Sequence, residues 1–162
     1  MALAVFHSQS SGKTENSGDV WGGNLPYLVS VDSFGDEKAP NFYSSKEVSF
    51  AEFKSVIEND NQNAVVNSFS DISSVVHTDS GRVKSVVIGG EVFGGTKIRS
   101  LFSLRSTCFT IKENGGNILF EVTGYGHGVG MSQYGANEMA KRGYNYKEIL
   151  NHYYSGTQID YV

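Results

Sequence analysis

Apolar and polar positions divide the chain into short elements of two periods. Residues 3–7 make a brief apolar run ending at His7, followed by eleven polar or glycine positions, Ser8 to Gly18. Tyr27 to Asp32 alternates and predicts a strand, and residues 33–48 form an irregular charged excursion containing Pro40. Ser49-x-x-Glu52 is a capping box, and Phe50, Phe53, Val56 and Ile57 follow at helical spacing with an aromatic core face. Residues 64–78 hold one or two strands. Asp79-Ser80-Gly81 then turns the chain into a β-branched strand over Arg82 to Ile88, and Gly89-Gly90 turns it again into Glu91-Val92-Phe93. Ile98, Leu101 and Phe102 predict a short helix over Thr96 to Leu104. Asn114-Gly115 sits between two alternating runs, Thr107 to Lys112 and Ile118 to Thr123, and marks a hairpin. A helix over Met131 to Arg142 ends at Gly143, and Asn145-x-x-Glu148 caps a second helix whose buried stripe is Ile149, Leu150, Tyr153 and Tyr154. The sum is an α+β fold: a mainly antiparallel sheet, open or rolled toward a barrel, with short helices and a C-terminal helical hairpin. No period of 20–50 residues repeats.

Composition narrows the class. The 162 residues fit one domain, 1–162, long enough to bury a core without staples. A net charge of −4 and the absence of any basic run argue against nucleic-acid binding. Cys108 is alone, which rules out an internal disulfide and a cysteine-based metal cluster. No apolar run approaches the roughly 18 residues of a membrane span. Met1 to Phe6 is too short and lacks the basic flank of a signal peptide, so the chain reads as entering a strand at its first residue, part-way into a longer parent.

The stretch that carries chemistry is Gly124-Tyr125-Gly126-His127-Gly128-Val129-Gly130-Met131-Ser132-Gln133-Tyr134-Gly135-Ala136. It joins the strand ending at Thr123 to the helix after Met131, a junction that aims backbone N–H groups and a few side chains into a shared crevice. The spacing Gly124-x-Gly126-x-Gly128-x-Gly130 lacks the lysine and the βαβ context of a phosphate cradle. A tight structural turn with His127 as a bystander remains the plain alternative. The second polar stretch, residues 8–18, is either a mobile linker or a polar loop lining a pocket. His77 has no partner pattern, and His152 reads as a surface or packing residue inside the last helix.

From Gly124 through Thr157 the chain closely resembles the C-terminal signature of the SpoIID/LytB family of bacterial cell-wall proteins, typified by stage II sporulation protein D. The family's His-Ser-x-Ser-Gly-Gly-x-Thr-Glu string is matched by His7, Ser8, Ser10, Gly12, Thr14 and Glu15, and its later segments by Val20-Trp21-Gly22 and Pro26-Tyr27-Leu28. Ser11 stands at the family's first glycine, and strains the loop if that position needs a positive φ.

The resemblance implies peptidoglycan remodelling outside the cytoplasm during sporulation and engulfment. Its chemistry is a lytic transglycosylase reaction at the bond between N-acetylmuramic acid and N-acetylglucosamine in denuded glycan. One carboxylic acid with a raised pKa protonates the leaving oxygen, the muramyl 6-hydroxyl attacks C1, and a 1,6-anhydro sugar forms. The family's proposed acid lies in a Pro-x-Glu-x-Pro-like segment upstream of the histidine string, and residues 1–6 do not match it. The expectation is therefore a domain lacking the family's N-terminal part and nearly inactive by itself. The alternative is a non-catalytic glycan-binding or LytB-like amidase-modifier module.

Within the chain, Glu15 and His127 are the candidates for a catalytic role, with Glu15 serving either as an acid or as an orienting group. His7, Ser8, Ser10, Thr14, Ser132, Gln133 and Tyr134 are the candidates for holding the sugar, Gln133 offering donor and acceptor to an N-acetyl group. Two histidines without a carboxylate at fixed spacing are a weak metal signal, and no metal or cofactor is expected. The partners expected are glycan strands, the missing N-terminal part, and other cell-wall hydrolases. The polar string 7–15 and the loop 124–136 are predicted to lie side by side, with His7 and His127 opening into one cleft.

Overall fold

The computed structural model describes residues 2–160. The chain forms two compact units, Tyr43–Val122 and the two flanking segments Met1–Phe42 and Thr123–Val162.

In the flanking unit, β1 (Phe6–His7) lies beside β8 (Met131–Ser132) in parallel, Phe6 facing Met131 and His7 facing Ser132. This pair is two residues long and the strand expected over residues 3–7 is correspondingly shorter. Its predicted entry at Met1 falls outside the described residues. The polar string is an ordered, largely buried loop. Gln9, Ser10, Thr14, Glu15 and Ser17 are buried within it, and it ends in a short helix α1 (Ser17–Trp21).

Tyr27 and Leu28 lie in a turn and a bend, and Val29–Asp32 runs along this string without forming a ladder, contrary to the strand that the alternation over Tyr27–Asp32 predicts. The reason is that side chains take the place of backbone partners. Val31 N–H donates to Thr14 Oγ1 at 2.9 Å and Ser30 N–H to Asn16 Oδ1 at 2.9 Å, leaving only an isolated bridge at Lys13 and Asp32. The left-handed residue of the string is Gly12, so Ser11 carries none of the strain considered for it.

The predicted first turn of the Met131–Arg142 helix is instead β8, because its backbone pairs with β1. Helix α4 starts at Gln133 and runs to Lys141, with Ser132 as its N-cap. At its end Tyr144 N–H reaches Met139 O at 3.2 Å and Gly143 takes φ 93°, the expected helix stop. Helix α5 (Tyr146–Tyr153) has both bonds of the Asn145/Glu148 capping box. The hairpin of α4 and α5 closes a core of Leu28, Val129, Met139, Ile149, Tyr153 and Tyr154. Tyr154 Oη donates to Val5 O at 2.7 Å, tying the last helix to the first strand.

In the other unit, β2 (Tyr43–Ser49) occupies part of the stretch that reads as irregular, because Tyr-Ser-Ser-Lys-Glu-Val-Ser has almost no apolar alternation. Helix α2 (Phe50–Asp60) follows, with Ser49 Oγ accepting from Glu52 N–H. Strands β3 (Ile72–His77), β4 (Val83–Ile88) and β5 (Glu91–Gly94) form one antiparallel sheet in that order. After α3 (Gly95–Leu101), β6 (Phe109–Asn114) and β7 (Asn117–Thr123) pair through the Gly115–Gly116 turn, with β2 on the far side of β7. The fold is α+β with mainly antiparallel pairing, and its sheets, among the described residues, stay open.

The core of this unit is aromatic. Phe120 has ring centroids 4.9 Å from Phe102, 5.9 Å from Phe109 and 6.3 Å from Phe53, and all four rings are buried. Such rings contribute both apolar area and oriented ring contacts. Phe120→Ala is expected to lower stability by about 3–5 kcal/mol in a denaturant titration. A loss below about 1 kcal/mol would show that the cluster is not the packing centre.

Candidate functional site

The loop between β7 and β8 alternates left-handed glycines with ordinary residues. Gly124, Gly126, Gly128 and Gly130 have φ of 77°, 116°, 88° and 71°. At Gly126 a Cβ would also lie 2.7 Å from the Cβ of His7, so this position admits no side chain for a second reason. The alternation turns the backbone tightly enough for the polar string to lie against it. Gln9 and Tyr125 exchange both backbone hydrogen bonds at 3.0 Å, and Glu15 N–H donates to Gly128 O at 2.8 Å. The predicted side-by-side placement of the two stretches is therefore present.

The peptide groups of Val129 orient two imidazoles. His7 Nδ1 lies 3.2 Å from Val129 O, which can only accept, so this ring carries its proton on Nδ1. Val129 N–H donates to His127 Nδ1 at 3.1 Å, so that ring has a lone pair on Nδ1 and, when neutral, its proton on Nε2. The ring centroids are 5.7 Å apart. His7 is buried and His127 is half-buried. Glu15 pairs with Val129 through its backbone and is buried, with Oε1 accepting from Asn16 N–H at 2.9 Å.

The remaining candidates separate into two groups. Ser8, Gln133 and Tyr134 lie at the start of α4, where Ser8 O accepts from Tyr134 N–H at 3.2 Å and Gln133 is exposed. Ser10, Thr14 and Ser132 are fully buried and their hydroxyls are turned into the protein. Ser10 Oγ donates to Lys13 O, Thr14 Oγ1 accepts from Val31 N–H, and Ser132 Oγ donates to Asp36. These three shape the site from behind. His152 Nε2 donates to Asp32 O at 2.6 Å and anchors the segment that ends at Asp32. Among the described residues no group of three or more His, Cys, Asp and Glu is arranged to hold a metal ion.

Sequence reading passed over Asp36, which lies in the charged excursion without a motif around it. It is fully buried, on a 3₁₀ turn at Asp36–Lys38. Its carboxyl accepts from Ser10 N–H at 3.0 Å and from the hydroxyls of Ser132 and Ser33. Ser33 Oγ is in turn 3.0 Å from Tyr153 Oη. One carboxyl thus fastens the polar string, the start of α4 and the end of α5 together. Gly135 exists to make room for it: a Cβ there would collide with Tyr153 Oη and Ser33 Oγ and approach Asp36 Oδ2 to 3.3 Å.

The family described as "Domain of unknown function (DUF8618)" matches residues 17–130. The chain belongs to that family. It is also 41% identical over 157 residues to stage II sporulation protein D of Bacillus subtilis (strain 168), and 40% identical over 156 residues to its counterpart in Bacillus amyloliquefaciens. Each alignment covers 96% of this chain and 44% of the relative, so the chain spans less than half of those proteins. The amidase enhancer of Bacillus subtilis is 26% identical over 209 residues, covering 98% of this chain and 30% of that protein. The SpoIID/LytB resemblance carried by the histidine string and the glycine loop is borne out by these relatives. The DUF8618 match ends at Gly130, within the glycine loop.

Two outcomes follow from the buried carboxyl. Gly135→Ala should overpack the Asp36 cluster and cost about 1–3 kcal/mol, read as a lowered midpoint in urea. Burial pushes the Tyr153 hydroxyl up to about 12, with the charge of Asp36 adding to the rise and the Ser33 hydrogen bond opposing it. An unfolded tyrosine titrates near pH 10, so the folded chain holds this proton longer. The resulting stability is complete below about pH 10 and is lost as pH rises toward 12. Tyr153→Phe should therefore melt below the wild type at pH 9, with the gap narrowing at pH 11; a gap independent of pH would contradict the burial of this hydroxyl.

Proposed function

We propose that this chain acts on the bacterial cell wall, outside the cytoplasm and in sporulation, as the glycan-gripping part of a stage II sporulation protein D-like lytic transglycosylase. The observation that carries the reading is the pair of imidazoles set on Val129 in opposite tautomers at the junction of the two motif stretches. His127, half-buried at this junction, suits contact with a sugar hydroxyl, and the buried His7 ring, with its centroid 5.7 Å away, backs it from within the fold.

In the transglycosylase reaction the bond between C1 of N-acetylmuramic acid and the glycosidic oxygen breaks, and that oxygen takes a proton from a carboxylic acid. The 6-hydroxyl of the same muramyl residue bonds to C1 and gives up its proton, leaving a 1,6-anhydro end. A histidine beside the scissile bond, His127, suits the second proton transfer, and Gln133 at the entrance of α4 suits an N-acetyl group. Glu15 fits better as the group that positions the loop. Its carboxyl is buried and folded back on the neighbouring backbone, and the family resemblance assigns the acid to a segment upstream of His7. That same geometry favours one second reading, a non-catalytic module that binds glycan or modifies an amidase, as the name of the amidase enhancer relative suggests.

The test is a chimera in which this chain replaces the matching segment of the Bacillus subtilis relative. It should release 1,6-anhydro ends from denuded glycan, detected by mass spectrometry, and the 162-residue chain alone should bind glycan without cutting it. His127→Ala and Gln133→Ala should leave the melting curve unchanged and lower cleavage at least tenfold, about 1.4 kcal/mol. Undiminished cleavage by both variants would reduce the loop to a structural turn. Glycan binding without cleavage in the chimera would favour the module reading.

A further inference from the structure

We propose that Asn114 is a site of spontaneous covalent modification, the conversion of its side-chain amide to a carboxylate, and that Glu47 is the clasp that sets its rate. The site lies in the β6–β7 hairpin, outside the histidine string and the glycine loop, and it is independent of the glycan reading. Asn114-Gly115 is the one Asn-Gly pair of the chain. Both residues are exposed at the hairpin tip, and Gly115 and Gly116 carry the turn with φ of 56° and 84°.

The chemistry needs only this chain and water. The main-chain nitrogen of Gly115 attacks Cγ of Asn114. A bond forms between those two atoms, the Cγ–Nδ2 bond breaks, and Nδ2 leaves as ammonia with the proton from the Gly115 nitrogen. The product is a five-membered cyclic imide. Water opens it at Cγ to give aspartate, or at the main-chain carbonyl to give isoaspartate, and nothing is oxidised or reduced. A glycine after the asparagine leaves the attacking nitrogen unshielded by any side chain. A Cβ added at either turn glycine would meet no atom beyond its chain neighbours within 4 Å, so water reaches the imide.

The fold opposes the first step in two ways. Asn114 ends β6 opposite Asn117, in a ladder that begins at Phe109 and Val122, and ring closure needs this extended backbone to rotate. Glu47 on β2 adds the second restraint. Its Oε1 accepts from Asn117 Nδ2 at 2.8 Å and from Asn114 Nδ2 at 3.2 Å. The nitrogen that must leave is therefore the one Glu47 holds, and the reactive state is a frayed turn with that hydrogen bond open. Conversion puts a carboxylate in place of the donor, facing the Glu47 carboxylate, so the clasp does not re-form. Isoaspartate also lengthens the main chain and breaks the two-residue turn.

The intact chain, incubated in mildly alkaline buffer, should gain product at Asn114. Peptide mapping by mass spectrometry locates it, and electron-transfer fragmentation separates isoaspartate from aspartate. A synthetic peptide of residues 109–122, a lone hairpin without β2, should convert at least about tenfold faster. Glu47→Ala should speed conversion in the intact chain about threefold, and Glu47→Gln, which keeps a carbonyl acceptor, should speed it less. Asn114→Gln should give no product at this position. An unmodified Asn114 in the intact chain while the peptide converts, or another asparagine converting first, would overturn the site. A wild-type rate in both Glu47 variants would overturn the clasp. If Glu47→Ala does not fold, Glu47→Gln and the ratio of peptide to intact chain carry the test.

Discussion

The backbone of Val129 is the constraint on which the candidate site depends. Its carbonyl receives the Nδ1 proton of His7, its N–H occupies Nδ1 of His127, and its strand-like pairing brings Glu15 alongside. Side chains can be placed this closely around one backbone only if the backbone itself turns at every second residue, which the alternating left-handed glycines allow. The conformational freedom those glycines lose on folding is a cost, and it is offset by the pairing with the polar string. Chemistry at the site is therefore set by main-chain geometry before any side chain is chosen.

Behind this loop the buried carboxyl of Asp36 does the equivalent work for packing. An isolated buried acid is strongly unfavourable, but three donors from three separate segments satisfy this one. The arrangement locks residues of the polar string to the N-cap of α4, so the position of Gln133 relative to His7 follows from a hydrogen-bond cluster and not from apolar contact alone. Preorganisation of this kind lowers the cost of ordering a site at the moment of binding.

Much of this was legible in the sequence. The glycine loop, the C-terminal helical hairpin with its Asn145 cap, and both two-residue turns rest on local signals that act within a few residues. The adjacency of His7 and His127, separated by 120 positions, came from likeness of composition between two loops. What stayed hidden has a common physical cause: it depends on partners distant in sequence. Tyr27–Asp32 alternates like a strand, yet Thr14 and Asn16 side chains take the hydrogen bonds a ladder would use. Strand β2 has no hydrophobic alternation because pairing with β7, not amphipathicity, defines it. Asp36 looks like any surface acid until Ser10, Ser33 and Ser132 converge on it.

The relatives named for sporulation and amidase enhancement connect the chain to the bacterial cell envelope, and the site adds a specific arrangement to that connection: one imidazole oriented to donate and one oriented to accept. Direct observation of the imidazole nitrogens by long-range ¹H–¹⁵N correlation at neutral pH tests that arrangement without any substrate. The structure predicts the proton on Nδ1 in His7 and on Nε2 in His127. The same tautomer in both rings, or two rapidly averaged rings, would contradict the claim that the Val129 backbone presets the site.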